Sequence, residues 1–117
     1  GYFAEMIDAA KVAPGKQFFV TETGYNTGTS DSGHPRVSAS AAAKYAPRLF
    51  LENFNRGILR SFWYELFNLG TGGDQESNFG LLNNDGSYKP QGTAVRNLTT
   101  LLKEATYDST NRRWVAP

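Results

Sequence analysis

Two short apolar runs separated by one amphipathic helix constrain this fold more than any other feature of the sequence. Residues 16–23 and residues 58–67 are rich in aromatic and β-branched side chains, which is typical of strands that are covered on both faces. Between them, residues 38–55 place apolar side chains at helical spacing. Because a strand, a crossover helix and a second strand form a right-handed parallel unit, the sequence predicts an α/β fold with a parallel sheet.

Two further helical patterns flank the predicted strands. Residues 2–13 form the first pattern, which Pro14-Gly15 ends. Residues 90–105 form the last pattern, and residues 106–117 show no clear period. We therefore divide the chain into residues 1–105 and a tail, residues 106–117, that either frays or begins a neighbouring segment.

The boundaries of the central helix and of one turn have local signals. Ser38 and Ser40 are candidate N-caps, and Gly57 is well placed just after the last helical turn. Later in the chain, residues 79–90 predict a small hairpin around Asn84-Asp85-Gly86, which is a favoured turn sequence.

Two strands are too few for a complete parallel sheet. Three helices do not easily cover both faces and both edges of such a sheet, and exposed strand edges invite pairing with another chain. The sequence therefore predicts either one piece of a larger parallel sheet or a chain that completes its sheet as a homo-oligomer.

Composition excludes several classes of function. The absence of cysteine excludes disulfides, thiolate metal sites and cysteine nucleophiles. A net charge of +1 without a basic block argues against a nucleic-acid partner, and no apolar run approaches the roughly 20 residues that span a bilayer. No signal-peptide pattern opens the chain. With a single histidine and scattered carboxylates, we expect no tight metal site and no cofactor.

A carboxylate ends the first predicted strand. Glu22 follows a continuous apolar run and is succeeded at once by Thr23-Gly24. In parallel α/β folds, ligands bind at the carboxyl ends of the strands, and residues 24–37 form a loop whose length is uncommon unless it is functional. Glu22 is therefore the candidate functional acid, and a capping or salt-bridging carboxylate is the ordinary alternative.

Three segments together resemble a known enzyme family. FFVTETGYNTG, HPRVSASAAAKYAPRLFLENFNRGILRSFWYEL and NFGLLNNDGSYKPQGTAVRNLTTLL are similar to the C-terminal part of clan A retaining glycoside hydrolases. The most similar members are secreted bacterial enzymes distantly related to cellulases, mannanases and xylosidases. The resemblance implies that residues 1–105 run from the helix before the seventh strand of a (β/α)8 TIM barrel through its eighth helix. It also implies an exported parent protein and an oligo- or polysaccharide partner.

The resemblance implies roles for three residues. Glu22 matches the catalytic nucleophile at the end of the seventh barrel strand, which works with a second acid about 5 to 5.5 Å away. Trp63 or Tyr64 matches an aromatic platform for the sugar, since aromatic faces suit the C–H side of a pyranose. The alternation along the strand leaves open which of the two faces the barrel axis, and both are equally compatible with a core position.

Four other residues are candidate substrate contacts. Glu65 and Asn68 lie near the end of the second strand, His34 lies in the long loop, and Tyr25 is positioned to orient the nucleophile. The ordinary alternative for each is a solvated loop residue.

The acid/base partner of the implied nucleophile is missing. In the family that this chain resembles, the acid/base is a Glu of the fourth strand, usually preceded by an Asn, and no Asn-Glu pair occurs here. One carboxylate cannot act as acid and nucleophile at once, so we expect no hydrolysis by a lone monomer. Three interpretations remain: part of a longer retaining glycosidase, a self-associating module that only binds carbohydrate, or a structural or interaction protein.

Overall fold

The computed structural model describes residues 13–30, 35–111 and 113–115. The elements within these ranges are β1 (Phe18–Thr23), α1 (Ala39–Asn55), β2 (Ile58–Trp63), a 3-10 turn (Glu76–Asn78), α2 (Pro90–Leu102), β3 (Thr106–Asp108) and β4 (Arg113–Val115). The helix predicted over residues 2–13 lies outside the described residues. Neither described helix has the length and apolar character needed to cross a membrane.

The two predicted central strands form a parallel pair, which confirms the strand–helix–strand prediction. In the register of β1 and β2, Val20 is opposite Ser61 and Thr23 is opposite Trp63. Because β1 has one residue more than β2 between these two pairs, the register shifts close to Glu22. The observed architecture thus combines helices with an open sheet.

The second strand is shorter than predicted, and its predicted extension to Phe67 is wrong. Beyond Trp63 the chain leaves β1 and pairs with the segment before α2. Leu82 N–H donates to the Leu66 carbonyl at 2.9 Å, and Phe67 forms an isolated parallel bridge with Leu82. The apolar run therefore continues beyond β2 in sequence, but its backbone forms hydrogen bonds with the segment before α2 instead of with β1.

The central helix begins and ends where its local signals predict. Ser38 Oγ accepts a hydrogen bond of 3.1 Å from Ala41 N–H, and Ser40 Oγ lies 3.0 Å from Ser38 Oγ. Gly57 follows the helix at φ +79°, a left-handed conformation that suits glycine. The buried face of α1 carries the small residues Ala42 and Ala46, which let its neighbours approach closely.

The last helix is also shorter than predicted. Pro90 occupies its first turn, where the missing N–H is not needed. The helix ends at Leu102 rather than at residue 105, because Ala105 N–H donates to the Leu102 carbonyl in a turn that leads into β3.

Two hairpins complete the described chain. The predicted turn at residues 84–86 is confirmed, since Asn83 N–H donates to the Ser87 carbonyl at 2.8 Å and Gly86 has a φ of +82°. The tail forms the antiparallel pair of β3 and β4, and the ring of Tyr107 meets Phe54 of α1 edge-on at 5.0 Å. Residues 106–111 and 113–115 of the tail thus form a hairpin that packs against α1.

One face of the β1–β2 pair is open. Ser61 and Trp63 contact α1, so Phe62 between them points to the opposite face. Phe62 is 50% exposed, and Phe19 on the neighbouring strand is 48% exposed. Among the described residues, each of the two strands has one hydrogen-bonded neighbour and therefore one unpaired edge. Both features indicate a surface that more protein would cover.

Candidate active site

Glu22 is an exposed carboxylate at the carboxyl end of β1. The next residue, Thr23, accepts a hydrogen bond of 2.7 Å from the backbone N–H of Tyr64. Gly24 lies so close to the Tyr64 carbonyl oxygen that a side chain at this position would strike it. The two strand ends are thus fastened together beside Glu22.

Trp63 and Tyr64 point in different directions. The Trp63 ring lies 6.1 Å from Phe50 of α1, and its Nε1–H donates to the Phe79 carbonyl at 2.9 Å. Trp63 therefore belongs to the layer between the sheet and the helix. By the alternation of side chains along a strand Tyr64 would then lie on the open side, and its contact with a sugar stays a prediction.

The charges of three carboxylates affect the pKa of the Tyr64 hydroxyl group. Partial burial raises the pKa of Tyr64, and the negative charges of Glu65, Glu76 and Glu22 raise it further. Its ring packs edge-on against Phe79 at 5.7 Å. At neutral pH the Tyr64 hydroxyl group is protonated and able to donate a hydrogen bond, and Glu22 is one of the charges that affect it.

Tyr25 belongs to an aromatic cluster that faces α1. Its ring lies 5.8 Å from Tyr45 and 5.9 Å from Trp63. Burial raises the pKa of Tyr25, and the neighbouring Tyr45 adds to this effect. Tyr25 therefore packs between the sheet and α1, whereas Tyr64 is the tyrosine whose pKa the charge of Glu22 raises.

Glu65 is turned into the protein. Its Oε1 atom is buried and has no hydrogen-bond partner among the described residues. Burial raises the pKa of Glu65, as does the charge of Glu76, while a hydrogen bond from the Leu69 backbone and the charge of Lys89 lower it. The hydrogen bond from Leu69 connects Glu65 to the loop after β2, and its contact with a substrate stays a prediction.

Asn68 holds a buried cation that the sequence pattern did not reveal. Lys89 is only 7% exposed, and its Nζ donates to Asn68 Oδ1 and to the Asn78 carbonyl, both at 3.0 Å. Burial lowers the pKa of Lys89, and the charge of Glu65 offsets part of this effect. No local signal marks this lysine, because a lysine just before a proline is normally exposed at the start of a helix.

The described parts of the loops after β1 and β2 are joined by hydrogen bonds and form one rim. Thr29 N–H and Ser30 N–H both donate to the Gly73 carbonyl at 2.9 Å, and Thr27 N–H donates to the Asn78 carbonyl at 3.2 Å. The rim borders an open depression of about 370 Å³. The residues that line it are Asn68, Gly70, Thr71, Gly72, Asn78, Asn83, Asn84 and Asp85.

His34 lies outside the described residues. Within the described ranges, histidine and carboxylate side chains form no group of three or more that would hold a metal ion.

Comparison with known proteins finds a similar solved structure. No protein-family model and no curated protein matches the chain. Among solved structures, the chain is similar to a family 39 glycoside hydrolase from the gut symbiont Bacteroides cellulosilyticus WH2, with 33% sequence identity and a TM-score of 0.62. The match covers 80% of this chain but only 18% of the length of that enzyme. The chain is thus related to a glycoside hydrolase over a small part of the enzyme's length.

Proposed function

We propose that this chain is the C-terminal part of a (β/α)8-barrel retaining glycoside hydrolase and that Glu22 is its nucleophile. The observation that carries the proposal is the exposed Glu22 carboxylate at the carboxyl end of a parallel strand, next to Thr23, which accepts a hydrogen bond from Tyr64 just after β2. Catalytic groups of such barrels lie at this end of the sheet. The similarity to a family 39 glycoside hydrolase supports the same assignment.

Glu22 would act by forming and releasing a covalent bond to the sugar. A carboxylate oxygen of Glu22 attacks the anomeric carbon while the bond from that carbon to the leaving oxygen breaks, and a second carboxylic acid gives its proton to the leaving oxygen. Water then attacks the same carbon while the bond from that carbon to Glu22 breaks, and water gives a proton to the second group. Cleavage of this bond restores the Glu22 carboxylate. In this proposal a strand outside these 117 residues supplies the second acid.

Tyr64 would contribute a hydrogen bond and an apolar surface. Burial and three carboxylates raise the pKa of its phenol further above its ordinary value of 10.0, so the hydroxyl group stays protonated at neutral pH. The hydroxyl group is therefore a donor for Glu22 or for a sugar oxygen, and the ring offers an apolar face to the sugar.

The open face of the sheet supports an incomplete barrel. Phe19 and Phe62 are about half exposed and lie opposite the face that α1 covers. In a complete barrel the interior is filled by the side chains of all strands. The remaining strands would therefore cover these two rings and pair with the unpaired edges of β1 and β2.

Covalent trapping tests the role of Glu22 in the protein that joins this chain to the rest of its barrel. A panel of 2-deoxy-2-fluoro glycosides with dinitrophenyl leaving groups should add the mass of one fluorosugar to the peptide that contains Glu22. Glu22→Gln should abolish the label, while Glu52→Gln on the exposed face of α1 should leave it unchanged. A label on another carboxylate, or hydrolysis with inversion, would overturn the proposal.

A second candidate function is a self-associating module that binds carbohydrate without turnover. The unpaired edges of β1 and β2 and the exposed rings of Phe19 and Phe62 favour it. Light scattering of the purified 117-residue chain separates the two candidates. A closed oligomer that binds oligosaccharides and hydrolyses none would support the module, whereas a monomer or a heterogeneous aggregate would support a part of a larger barrel.

A further inference from the structure

Lys89 has no part in the chemistry proposed above, although it is a buried charge. Of the buried polar and charged side chains in the described ranges, Lys89 is the one that carries a charge. Burial of an ammonium group is costly unless hydrogen bonds and opposite charge compensate it. The burial of this lysine near the candidate active site therefore needs an explanation.

The ammonium group of Lys89 bridges two separate points of the loop after β2. It donates to the side chain of Asn68 and to the backbone of Asn78, both at 3.0 Å. Asn68 Oδ1 also accepts from Gly80 N–H at 3.0 Å. One cation thus fixes the beginning and the end of the loop relative to the start of α2.

The residue that follows one end of this bridge contacts both aromatic residues at the end of β2. Asn78, whose carbonyl Lys89 holds, is followed by Phe79. The Phe79 carbonyl accepts from Trp63 Nε1–H at 2.9 Å, and the Phe79 ring meets the Tyr64 ring at 5.7 Å. A displacement of Asn78 would therefore move the groups against which Trp63 and Tyr64 are packed.

A second side chain from the start of α2 supports the same loop. Gln91 is fully buried, and its Nε2 donates to the Gly80 carbonyl at 2.9 Å. A side chain at Gly80 would strike the backbone N of Asn68. The loop is thus packed too closely around Lys89 to tolerate much rearrangement.

We propose that Lys89 is a positioning residue that sets the orientation of Tyr64 beside Glu22 by fixing Asn78 and Phe79. Its effect on hydrolysis rests on the proposed function, but its effect on the aromatic residues does not. Lysine suits this place because its compact ammonium group has three donors. A neutral apolar replacement would leave the oxygens of Asn68 and Asn78 without this donor.

The first arm of the test reads the position of Trp63 without any activity. In the protein that joins this chain to the rest of its barrel, the indole N–H resonance of Trp63 is the one that Trp63→Phe removes from the spectrum of a ¹⁵N-labelled sample. Lys89→Met should shift this resonance and speed its hydrogen exchange by about tenfold, as expected for the loss of one hydrogen bond. Lys103→Met, at the exposed end of α2, is the matched control and should leave the resonance unchanged.

The second arm reads catalysis in the protein with the complete barrel. Lys89→Met should lower kcat by about tenfold with little change in KM, because a group that acts in the transition state is displaced, and Lys89→Arg should restore part of the rate. If Lys89→Met does not fold, Lys89→Gln replaces it, since its amide still has N–H donors, and smaller effects in the same direction are expected.

The two arms separate this inference from the proposed function. If Glu22 is labelled in the wild type and Lys89→Met keeps both its indole resonance and its kcat, Lys89 does not position the site and the proposed function stands. If Glu22 is never labelled, the proposed function fails. The indole resonance alone then decides whether Lys89 fixes the aromatic pair, and an unchanged resonance would overturn this role.

Discussion

The backbone N–H of Tyr64 donates a hydrogen bond of 2.7 Å to the carbonyl oxygen of Thr23. This bond extends the parallel pairing of Thr23 with Trp63 by one residue and brings the ends of β1 and β2 together. Gly24 lies directly against the Tyr64 carbonyl oxygen. The position of Tyr64 relative to Glu22 therefore depends on a residue without a side chain at position 24.

Gly24→Ala is expected to separate the two strand ends. The new methyl group would strike the Tyr64 carbonyl oxygen, and overpacking of this kind costs about 1–3 kcal/mol of unfolding free energy. Urea unfolding measures this loss, and hydrogen exchange of the Tyr64 amide should become faster. Gly57→Ala is the control, because it strains the left-handed end of α1 but should leave the Tyr64 amide protected.

Glu22→Gln is expected to lower the pKa of Tyr64. Burial is the largest cause of the raised pKa, and the charge of Glu22 is one of three carboxylate charges that add to it. Removal of that negative charge makes the phenolate less unfavourable, so Tyr64 should titrate at lower pH than in the wild type. The Cζ resonance of ¹³C-labelled tyrosine, assigned with Tyr64→Phe, measures the change.

Glu52→Gln is the matched control for this titration. Glu52 pairs with Arg56 on α1 at 3.4 Å and is not among the charges that affect Tyr64. Equal Tyr64 titration curves for Glu22→Gln and Glu52→Gln would contradict the proximity of Glu22 to Tyr64.

The elements that the sequence predicts correctly depend on local signals. The Ser38 cap, Gly57 and the turn at residues 84–86 are each encoded within a few residues. The parallel pairing follows from the order strand, helix, strand, since only a crossover can join parallel neighbours. Chain order and local chemistry are both visible without any tertiary contact.

The features that the sequence misses depend on distant partners. β2 ends at Trp63 because Leu81 and Leu82 offer hydrogen bonds to the following residues, and the apolar run itself contains no sign of this. Lys89 is buried because Asn68, 21 residues away, supplies an oxygen for its ammonium group. The Trp63 ring lies against α1 because it packs on the ring of Phe50.

Ser38→Ala is expected to destabilise α1. Ser38 Oγ accepts from Ala41 N–H at 3.1 Å, and replacement of an N-cap serine by alanine typically costs about 1 kcal/mol. Thermal unfolding followed by circular dichroism measures the loss. Ser38→Asp keeps an acceptor at the cap and should restore stability, and a lack of such rescue would argue against the capping role.

Ser61→Ala is expected to lower the free energy of unfolding, because a buried amide loses its hydrogen-bond acceptor. Asn53 is 2% exposed, and its Nδ2 donates to Ser61 Oγ at 2.9 Å across the interface of α1 and β2. The alanine would leave this donor without its acceptor, which costs about 1–3 kcal/mol. Addition of Asn53→Leu to the Ser61→Ala variant should recover part of that loss in urea unfolding, because no polar group then stays unpaired. A double variant less stable than Ser61→Ala alone would contradict this account.

Asp74 is expected to make the stability of the loop after β2 sensitive to acid. Hydrogen bonds from the hydroxyl group and the backbone N–H of Ser77, at 2.8 and 3.0 Å, lower the pKa of Asp74 from its ordinary value of 3.8. Since the folded pKa is below the unfolded one, the unfolded chain binds more protons in between. The stabilisation is therefore complete above pH 3.8 and is lost as the pH falls through the folded value.

Urea midpoints measured from pH 7 down to about pH 2 test this expectation. Asp74→Asn should lower the midpoint at neutral pH and flatten its fall in acid, so that the two curves approach each other at the lowest pH. Part of the slope should persist in the variant, because hydrogen bonds also lower the pKa values of Asp85 and Asp108. Glu104→Gln, an exposed change just beyond α2, controls for the loss of one charge and should keep the slope of the wild type. An Asp74→Asn curve parallel to the wild type over the whole range would show that the bonds to Ser77 add no acid-sensitive stability.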